Sequence, residues 1–491
     1  MTTTTTTAEL SNLVGGDWIT GDGAPAVSTN PAHPDDVVAT YYQATEALLD
    51  QAMAAAESAA RAWDDLGLIA RGRILRRAAV LLSERAESVA VLMTREQGKT
   101  LPESRGEVAA TIDTLDYHAA SSRQPDGATY PSSNPDELIR TVRRPIGPVA
   151  VVTPWNFPLQ IPAWKIAPAL LWGNPVVWKC ASDTPALAVA FAEVLTDAGV
   201  PAGVLNLLLG PGSLGARLVA HPTTAAVTFT GSVGVGESIR DAVVPRGTKL
   251  QMELGGHNAA IVLPDADIDT SAEDIVAAAT GSTGQKCTAT RRIIAVGDAG
   301  PLRDALVQRI SALVVGDGAD DGTELGPLVS AKAQAEVLAA IDQARSEGAD
   351  VLAQSSVPEG PGHYVPATLL AGEASLRICQ EEVFGPVVTL LEVADLEQAI
   401  ELANATSFGL TASVFTQDER VVRRCLRDVV AGVVKVNAPS TGSELHAPFG
   451  GLRSSTFPAP REQNSAAVAE FFTITKTAYV RVAPADQGGA S

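Results

Sequence analysis

Few residues in this chain are of a type that forms bonds with a substrate. Its 491 residues include four cysteines, Cys180, Cys287, Cys379 and Cys425, and six histidines. The cysteines are too scattered for a disulfide framework, no C-x-x-C pair occurs, and the histidines lack metal-ligand spacing. Cys379 and Cys425 lie beside apolar neighbours, the setting of an inert buried thiol. Cys287 lies in STGQKCTATRR, a small, polar and cationic stretch. Those surroundings are expected to lower a thiol pKa and leave room for a substrate, which suits a nucleophile. Inert packing is the alternative that the local sequence leaves open. Cys180, beside Lys179, is the rival.

A nucleophile needs partners, and three residue types at strand ends supply candidates. Glu253 in LQMELGGHNAAIV follows a β-rich run and precedes a Gly-Gly turn. That placement suits a general base acting on water, and equally a carboxylate facing solvent. Asn156 in PWNFP sits in a loop stiffened by prolines, as an oxyanion donor or as an Asx-turn residue. Lys179 ends PVVWK, at the end of a buried strand where α/β folds face their ligands, or at a plain surface corner. LLLGPGSLGARL sets Gly210, Gly212 and Gly215 in G-x-G-x-x-G spacing between a strand and a helix. The acidic residue of the dinucleotide fingerprint, expected about 20 positions on, is missing there. FTGSVGVGESI is a second such turn, with Ser232 at an N-cap where free N–H groups would hold a phosphate. Two such turns in consecutive strand–helix units point to a nucleotide.

The elements that position these residues follow a regular rhythm. From Val149 to Val243 four apolar strand runs alternate with four helical periods, and a second α/β series starts near Asn258. This predicts parallel sheets buried on both faces. Thr45 to Ser122 reads as successive helices, and AEFFTITKTAYVRV as a closing strand. A chain of this length exceeds one core and is expected to form about two to four domains. A formal charge of −20 disfavours nucleic acid or an anionic membrane as partner. No apolar run approaches the roughly 20 residues of a membrane span. The opening MTTTTTTAEL does not read as a signal peptide, so a cytoplasmic, metal-free protein is expected.

Along the chain, PWNFP, WKCASDTP, FTGS, ELGGHNAAIV, GQKCTAT, EEVFGPVV, VKVN and APFGG occur in one order. From about Leu13 to Val480 the sequence resembles the NAD(P)-dependent aldehyde dehydrogenase superfamily. The resemblance implies an α/β fold with a Rossmann-like cofactor domain (10–123 and 146–254) and a catalytic domain (255–455). It also implies a β-hairpin oligomerisation element (124–145 and 468–485), with tails at 1–9 and 486–491 expected to be disordered. The resemblance further implies a homodimer or homotetramer. Cys287 would be the nucleophile, Asn156 the oxyanion donor together with the Cys287 N–H, and Glu253 the base. Thr153, Trp155, Lys179, Ser182, Gly212, Gly231, Ser232, Leu254, Glu382 and Phe384 would hold the cofactor. Phe157, Gln160, Trp164, Thr441 and His446 would line the aldehyde tunnel, with Arg291 or Arg292 meeting a distal carboxylate.

Two departures from the family pattern carry further expectations. Many NAD-preferring members have Glu three residues after the lysine; Ser182 stands there instead. Without that negative charge, NADP is expected to be accepted and preferred over NAD. SSTFPAPREQ, STGQKCTATRR and FFTITKTAYV resemble the α-ketoglutarate semialdehyde (2,5-dioxovalerate) dehydrogenase branch. The alternatives are a succinic semialdehyde or aromatic aldehyde dehydrogenase, a CoA-acylating enzyme, and a non-catalytic family member.

Overall fold

The computed structural model describes residues 6–457 and 463–481. The chain opens with five short strands, β1 (Ala8–Leu10), β2 (Asn12–Val14), β3 (Asp17–Ile19), β4 (Pro25–Thr29) and β5 (Val37–Tyr42). This corrects part of the expected N-terminal tail, because Ala8 and Glu9 pair in parallel with Ala39 and Thr40. Residues 1–5 and 486–491 of the two tails lie outside the described residues.

Four helices follow as the apolar spacing predicts: α1 (Glu46–Asp65), α2 (Leu68–Glu84), α3 (Ala86–Gln97) and α4 (Leu101–Ser121). A complete capping box starts α4. Thr100 Oγ1 accepts from the Glu103 N–H at 3.4 Å, and the Glu103 carboxylate accepts from the Thr100 N–H at 3.2 Å. Such a cap contributes about 1 kcal/mol. The chain then runs through β6 (Thr129–Tyr130) and β7 (Glu137–Pro145).

The regular alternation comes next: β8 (Val149–Val152), α5 (Gln160–Leu171), β9 (Val176–Lys179), α6 (Pro185–Asp197), β10 (Leu205–Leu208), α7 (Gly212–Ala220), β11 (Ala226–Thr230), α8 (Val233–Val243) and β12 (Lys249–Glu253). These strands form one sheet in the order β12-β11-β8-β9-β10-β2-β3, in which β8 to β12 are parallel and β2 and β3 are antiparallel. The order reverses between β8 and β11, a topological switch point, and such points mark ligand crevices at carboxyl ends. The register sets Lys179 level with Val152 and Leu208, and Glu253 level with Thr230. Helices cover both faces, which is why the strand interiors are continuously apolar.

A second sheet is built from β13 (Asn258–Val262), α9 (Ile268–Thr280), β14 (Thr290–Val296), α10 (Gly300–Ala312), α11 (Ala331–Ser346), β15 (Asp350–Gln354), β16 (Thr368–Ala371), β17 (Val387–Val393), α12 (Leu396–Asn404), β18 (Thr411–Phe415), α13 (Glu419–Asp428) and β19 (Val433–Val436). Its order is β15-β16-β17-β14-β13-β18-β19, with β15 the antiparallel edge. Only residues 254–257 separate β12 from β13. The carboxyl edge of the first sheet therefore leads straight into the amino edge of the second, and the two meet along a seam.

The chain ends in α14 (Val468–Phe472) and β20 (Thr473–Arg481). AEFF was expected to extend that strand, but it forms a helical turn that buries Val468, Ala469, Phe471 and Phe472 in the first core. β20 pairs with β7 from Thr473↔Pro145 to Arg481↔Glu137, and with β6 they form a separate three-stranded sheet. Among the described residues, no helix is long and apolar enough to cross a membrane.

Candidate active site

Cys287 lies three residues before β14, on the amino edge of the second sheet. Between α9 and the cysteine the chain turns through Ser282 and Thr283, both at positive φ (51° and 55°). Non-glycine residues in that region carry strain that their surroundings must offset. Here the Thr283 hydroxyl donates to the Gly326 carbonyl at 3.0 Å, and Gln285 Oε1 accepts from the Val329 N–H at 3.0 Å. Asn258 Nδ2 donates to the Cys287 carbonyl at 2.8 Å. From the opposite side of the seam, Asn156 Nδ2 donates to the Gln285 carbonyl at 2.9 Å. That places a side-chain amide beside the backbone leading into the cysteine.

The glycines after Glu253 let this region close. A Cβ on Gly256 would lie 2.5 Å from the Cys287 carbonyl oxygen, and one on Gly255 would lie 2.1 Å from Glu382 Oε2. Only glycine permits such approaches. Glu253 is buried at the end of β12, close enough for its charge to act on the Cys287 thiol. Cys287 is partly exposed, whereas Cys180, Cys379 and Cys425 are buried. The thiol pKa moves opposite to the expectation. Burial pushes it up to about 12, and the carboxylates of Glu382 and Glu253 add to the rise. Backbone N–H groups of Cys287 and Thr288 oppose the rise. Lys286 extends its ammonium toward Gly281 and Glu103.

The two arginines are spent on the backbone. Arg291 donates to the carbonyls of Gly385 (2.6 Å), Gly284 (2.6 Å) and Lys286 (3.2 Å). Arg292 donates to those of Leu402 (2.8 Å), His257 (2.8 Å) and Ala403 (3.0 Å). Both are buried. The expectation that either meets a substrate carboxylate is therefore corrected; they hold the loops that frame Cys287.

At the switch point the residues are of another kind. Lys179 is 6% exposed, and burial depresses its pKa, with Cys180 and Asp183 opposing. Its ammonium has no hydrogen bond or ion pair among the described residues. A Cβ on Gly215 would touch the lysine's Cδ at 3.7 Å, so the glycine opens space along its stem. The Ser182 hydroxyl donates to the Gly210 carbonyl at 3.0 Å, joining two of the turns. Nothing lies within 4 Å of where a Cβ on Gly212 would point. Ser232 caps α8 with an extended backbone (φ −75°, ψ 153°) and no side-chain cap bond, which leaves N–H groups available. Gly231 donates to the Glu253 carbonyl at 3.1 Å. A buried ammonium with no hydrogen bond or ion pair among the described residues, beside the first turn of α7, fits an anionic dinucleotide. The Thr153 hydroxyl accepts from the Trp178 indole at 2.8 Å, and buried Leu254 donates its N–H to the Ser455 carbonyl at 2.9 Å.

Across the crevice, Glu382, Phe384 and Trp155 border a cleft of about 580 Å³. Trp155 meets Phe384 edge to face at 5.6 Å. Burial raises the Glu382 pKa to about 7 against the pull of Arg291 and the Gly256 N–H.

On the remaining side, Phe157, Gln160 and Trp164 stay partly exposed among buried neighbours. Trp164 packs on Phe449 at 5.7 Å. Thr441 is tied in through its carbonyl, which accepts from Lys435 at 2.5 Å, and the neighbouring Ser440 hydroxyl donates to the Thr288 carbonyl at 2.7 Å. His446 is not drawn in; its side chain is 75% exposed beside Glu444. Residues 458–462 of SSTFPAPREQ lie outside the described residues.

Sequence reasoning missed two groups. Lys165, in the apolar IPAWKIAP of α5, is wholly buried and donates to Thr228 Oγ1 (3.0 Å) and Gln463 Oε1 (2.7 Å). Burial lowers its pKa to about 7, with Glu253 opposing. Lys99 and Glu107 form a buried ion pair under the Phe157 ring, whose centroid is 3.8 Å from Lys99 Nζ. Glu107 also accepts the N–H groups of Leu159 (2.9 Å) and Gln160 (3.1 Å). The available signal was a lysine in an apolar helical run, since a buried charge requires partners.

Known proteins match this geometry over nearly the full chain. The model of the aldehyde dehydrogenase family covers residues 18–478. An alpha-ketoglutaric semialdehyde dehydrogenase of Bacillus subtilis is 40% identical over 478 residues, 96% of this chain and 98% of that protein. The structure of betaine aldehyde dehydrogenase from Staphylococcus aureus in complex with NAD+ superimposes with TM-score 0.92 at 29% identity, covering 98% of this chain and 97% of that one. An E. coli NADP dependent enzyme gives 0.92 at 32%, covering 97% and 98%.

Proposed function

The chain belongs to the aldehyde dehydrogenase family, and from that premise we propose that it oxidises 2,5-dioxopentanoate, the semialdehyde of α-ketoglutarate, to the dicarboxylic acid. The observation that carries this reading is the convergence of Cys287, Asn156 and Glu253 on one seam, together with the 40% identity to the Bacillus semialdehyde enzyme. Each residue has the chemistry its step requires. Cys287, once its proton has left, attacks the aldehyde carbon. The Asn156 amide and the Cys287 N–H stabilise the oxyanion that forms, an effect worth about 2.7–4 kcal/mol per donor. Collapse of that oxyanion breaks the C–H bond, and departure of its hydrogen with both electrons as hydride leaves a thioester on Cys287. Glu253 then takes a proton from water, which attacks the acyl carbon, releases the acid and restores the thiol group. A nicotinamide dinucleotide, when bound, supplies the two-electron acceptor.

In this reading Lys179, Ser182, Gly212, Gly231 and Ser232 hold the adenosine and pyrophosphate, and Thr153, Trp155, Leu254, Glu382 and Phe384 hold the nicotinamide half. NADP is the preferred form in this reading, since Ser182 leaves no carboxylate to repel a 2′-phosphate and Lys179 has its ammonium available. The chain divides into the cofactor, catalytic and hairpin domains drawn from the sequence. The β6-β7-β20 sheet, with exposed Leu138, Ile474, Tyr479 and Val480, joins a second copy in a homodimer or homotetramer.

An aldehyde panel tests this. Purified protein is given 2,5-dioxopentanoate, succinic semialdehyde, butanal or benzaldehyde with NAD or NADP, with and without CoA. The expected result is highest kcat/KM for 2,5-dioxopentanoate with NADP and free acid as product. A CoA requirement or a large NAD preference would overturn the corresponding part.

A further inference from the structure

In the Cys287 loop the pattern of exposure is selective. Ser282 to Gln285 and Ala289 to Val296 are buried, while Lys286, Cys287 and Thr288 between them are partly exposed. Those three residues are the accessible part of this loop, with the nucleophile at their centre. One of them is a lysine, whose place in the chemistry described so far is unassigned.

The charges around Lys286 are already engaged elsewhere. Glu107 is occupied by Lys99 and by the N–H groups of Leu159 and Gln160. Glu103 accepts from the Ser282 N–H at 2.5 Å and from Thr100 through its N–H (3.2 Å) and hydroxyl (3.1 Å). The Lys286 ammonium is the nearest atom to the position a Cβ on Gly281 would take, at 2.7 Å, with Glu103 Oε1 3.8 Å from the same point. No hydrogen bond or ion pair joins it to any described residue. Burial lowers its pKa, and the Lys99 ammonium adds to that against the pull of Glu103. A partly buried cation with no hydrogen bond or ion pair among the described residues gains from an anion brought beside it.

We propose that Lys286 selects the substrate by receiving the far carboxylate of an ω-carboxylated aldehyde whose carbonyl carbon lies at Cys287. Lys286 directly precedes the nucleophile and shares its partly exposed stretch of loop. This inference rests on the functional reading above and supplies the cation that Arg291 and Arg292 do not.

The test compares wild type with Lys286→Met and Lys286→Arg on two carboxylated aldehydes, succinic semialdehyde and 2,5-dioxopentanoate, and two neutral ones, butanal and pentanal. Lys286→Met is expected to lower kcat/KM for the carboxylated pair at least about tenfold more than for the neutral pair, about 1.4 kcal/mol of discrimination. The loss should appear mainly in KM, and Lys286→Arg should recover most of it. Equal losses on both pairs, or an arginine variant no better than the methionine one, would overturn the role. If Lys286→Met does not fold, Lys286→Gln gives the same measurement. A wild type poor on 2,5-dioxopentanoate but good on succinic semialdehyde, with that preference lost in Lys286→Met, removes the named substrate and keeps the lysine's role. A wild type equally good on butanal overturns both.

Discussion

The two seven-stranded sheets share an architecture, yet they meet the seam with opposite ends. The first presents carboxyl ends: Lys179, Thr230 and Glu253 close their strands there. The second presents amino ends, with Cys287 in the loop that enters β14. At the first edge the chain turns outward into helices, so backbone N–H groups and one lysine remain open to a ligand. At the second, the loops are pinned by arginines, an asparagine and close glycine contacts. Recognition of a cofactor uses exposed backbone, and covalent chemistry uses a side chain held still. The crevice rule for α/β sheets finds the first kind of site and is silent about the second.

The largest effect should follow from removing the one reactive group of the second edge. Cys287→Ala is expected to cut turnover on the order of 10⁴-fold or more, measured as cofactor reduction, while calorimetry still detects dinucleotide binding at the first edge. Persisting turnover would move the chemistry away from the amino edge. Glu253→Gln comes next, at about 10²–10⁴-fold. Since the base acts after acylation, rapid mixing should retain a burst of reduced cofactor before a slow steady state. A variant without the burst would put Glu253 in the first step as well. Ser182→Glu should be smaller still. A carboxylate at that turn should reduce kcat/KM with NADP at least about tenfold relative to NAD, and an unchanged ratio would detach Ser182 from cofactor choice.

The two edges also differ in how far the sequence revealed them. Strand runs such as VAVV and helical periods such as PALAVAFAEVL are local patterns, so β8 to α8 were legible from spacing alone. β1 to β5 were not, because segments such as AEL, DWI and PAVST mix polar and apolar residues and no helical period separates them. Lys179 and Ser232 were legible because their meaning depends on a strand end and a helix start. The acidity of Cys287 was not, because it depends first on burial and then on Glu382 and Glu253, both distant in sequence. Arg291 and Arg292 looked available next to a reactive loop, but they lie at the head of a strand buried along its whole length. Their partners are carbonyls that no linear pattern specifies. Lys165 was hidden in the same way, by contacts with Thr228 and Gln463.

The smallest predicted effect tests whether the two edges hold charge differently. Beside the first sheet, where it reaches Thr228, Lys165 is lowered from 10.5 to about 7, with burial as the main cause. On the second, Glu382 is raised from 4.5 to about 7, again mainly by burial. Between pH 4.5 and 7 the folded chain binds the proton of Glu382 more tightly than the unfolded chain, so this group's stability is lost as pH rises through that window. Between pH 7 and 10.5 the unfolded chain binds the proton of Lys165 more tightly, so stability from this group rises with pH and is lost as pH falls through 7. Each unit of mismatch corresponds to about 1.4 kcal/mol, which should appear as a few degrees in Tm. Scans from pH 5 to 9 should show Glu382→Gln removing a decline below pH 7 and Lys165→Met removing a rise above it. If both variants changed the same side of the curve, the two edges would be storing charge alike, and their contrast would be one of backbone geometry alone.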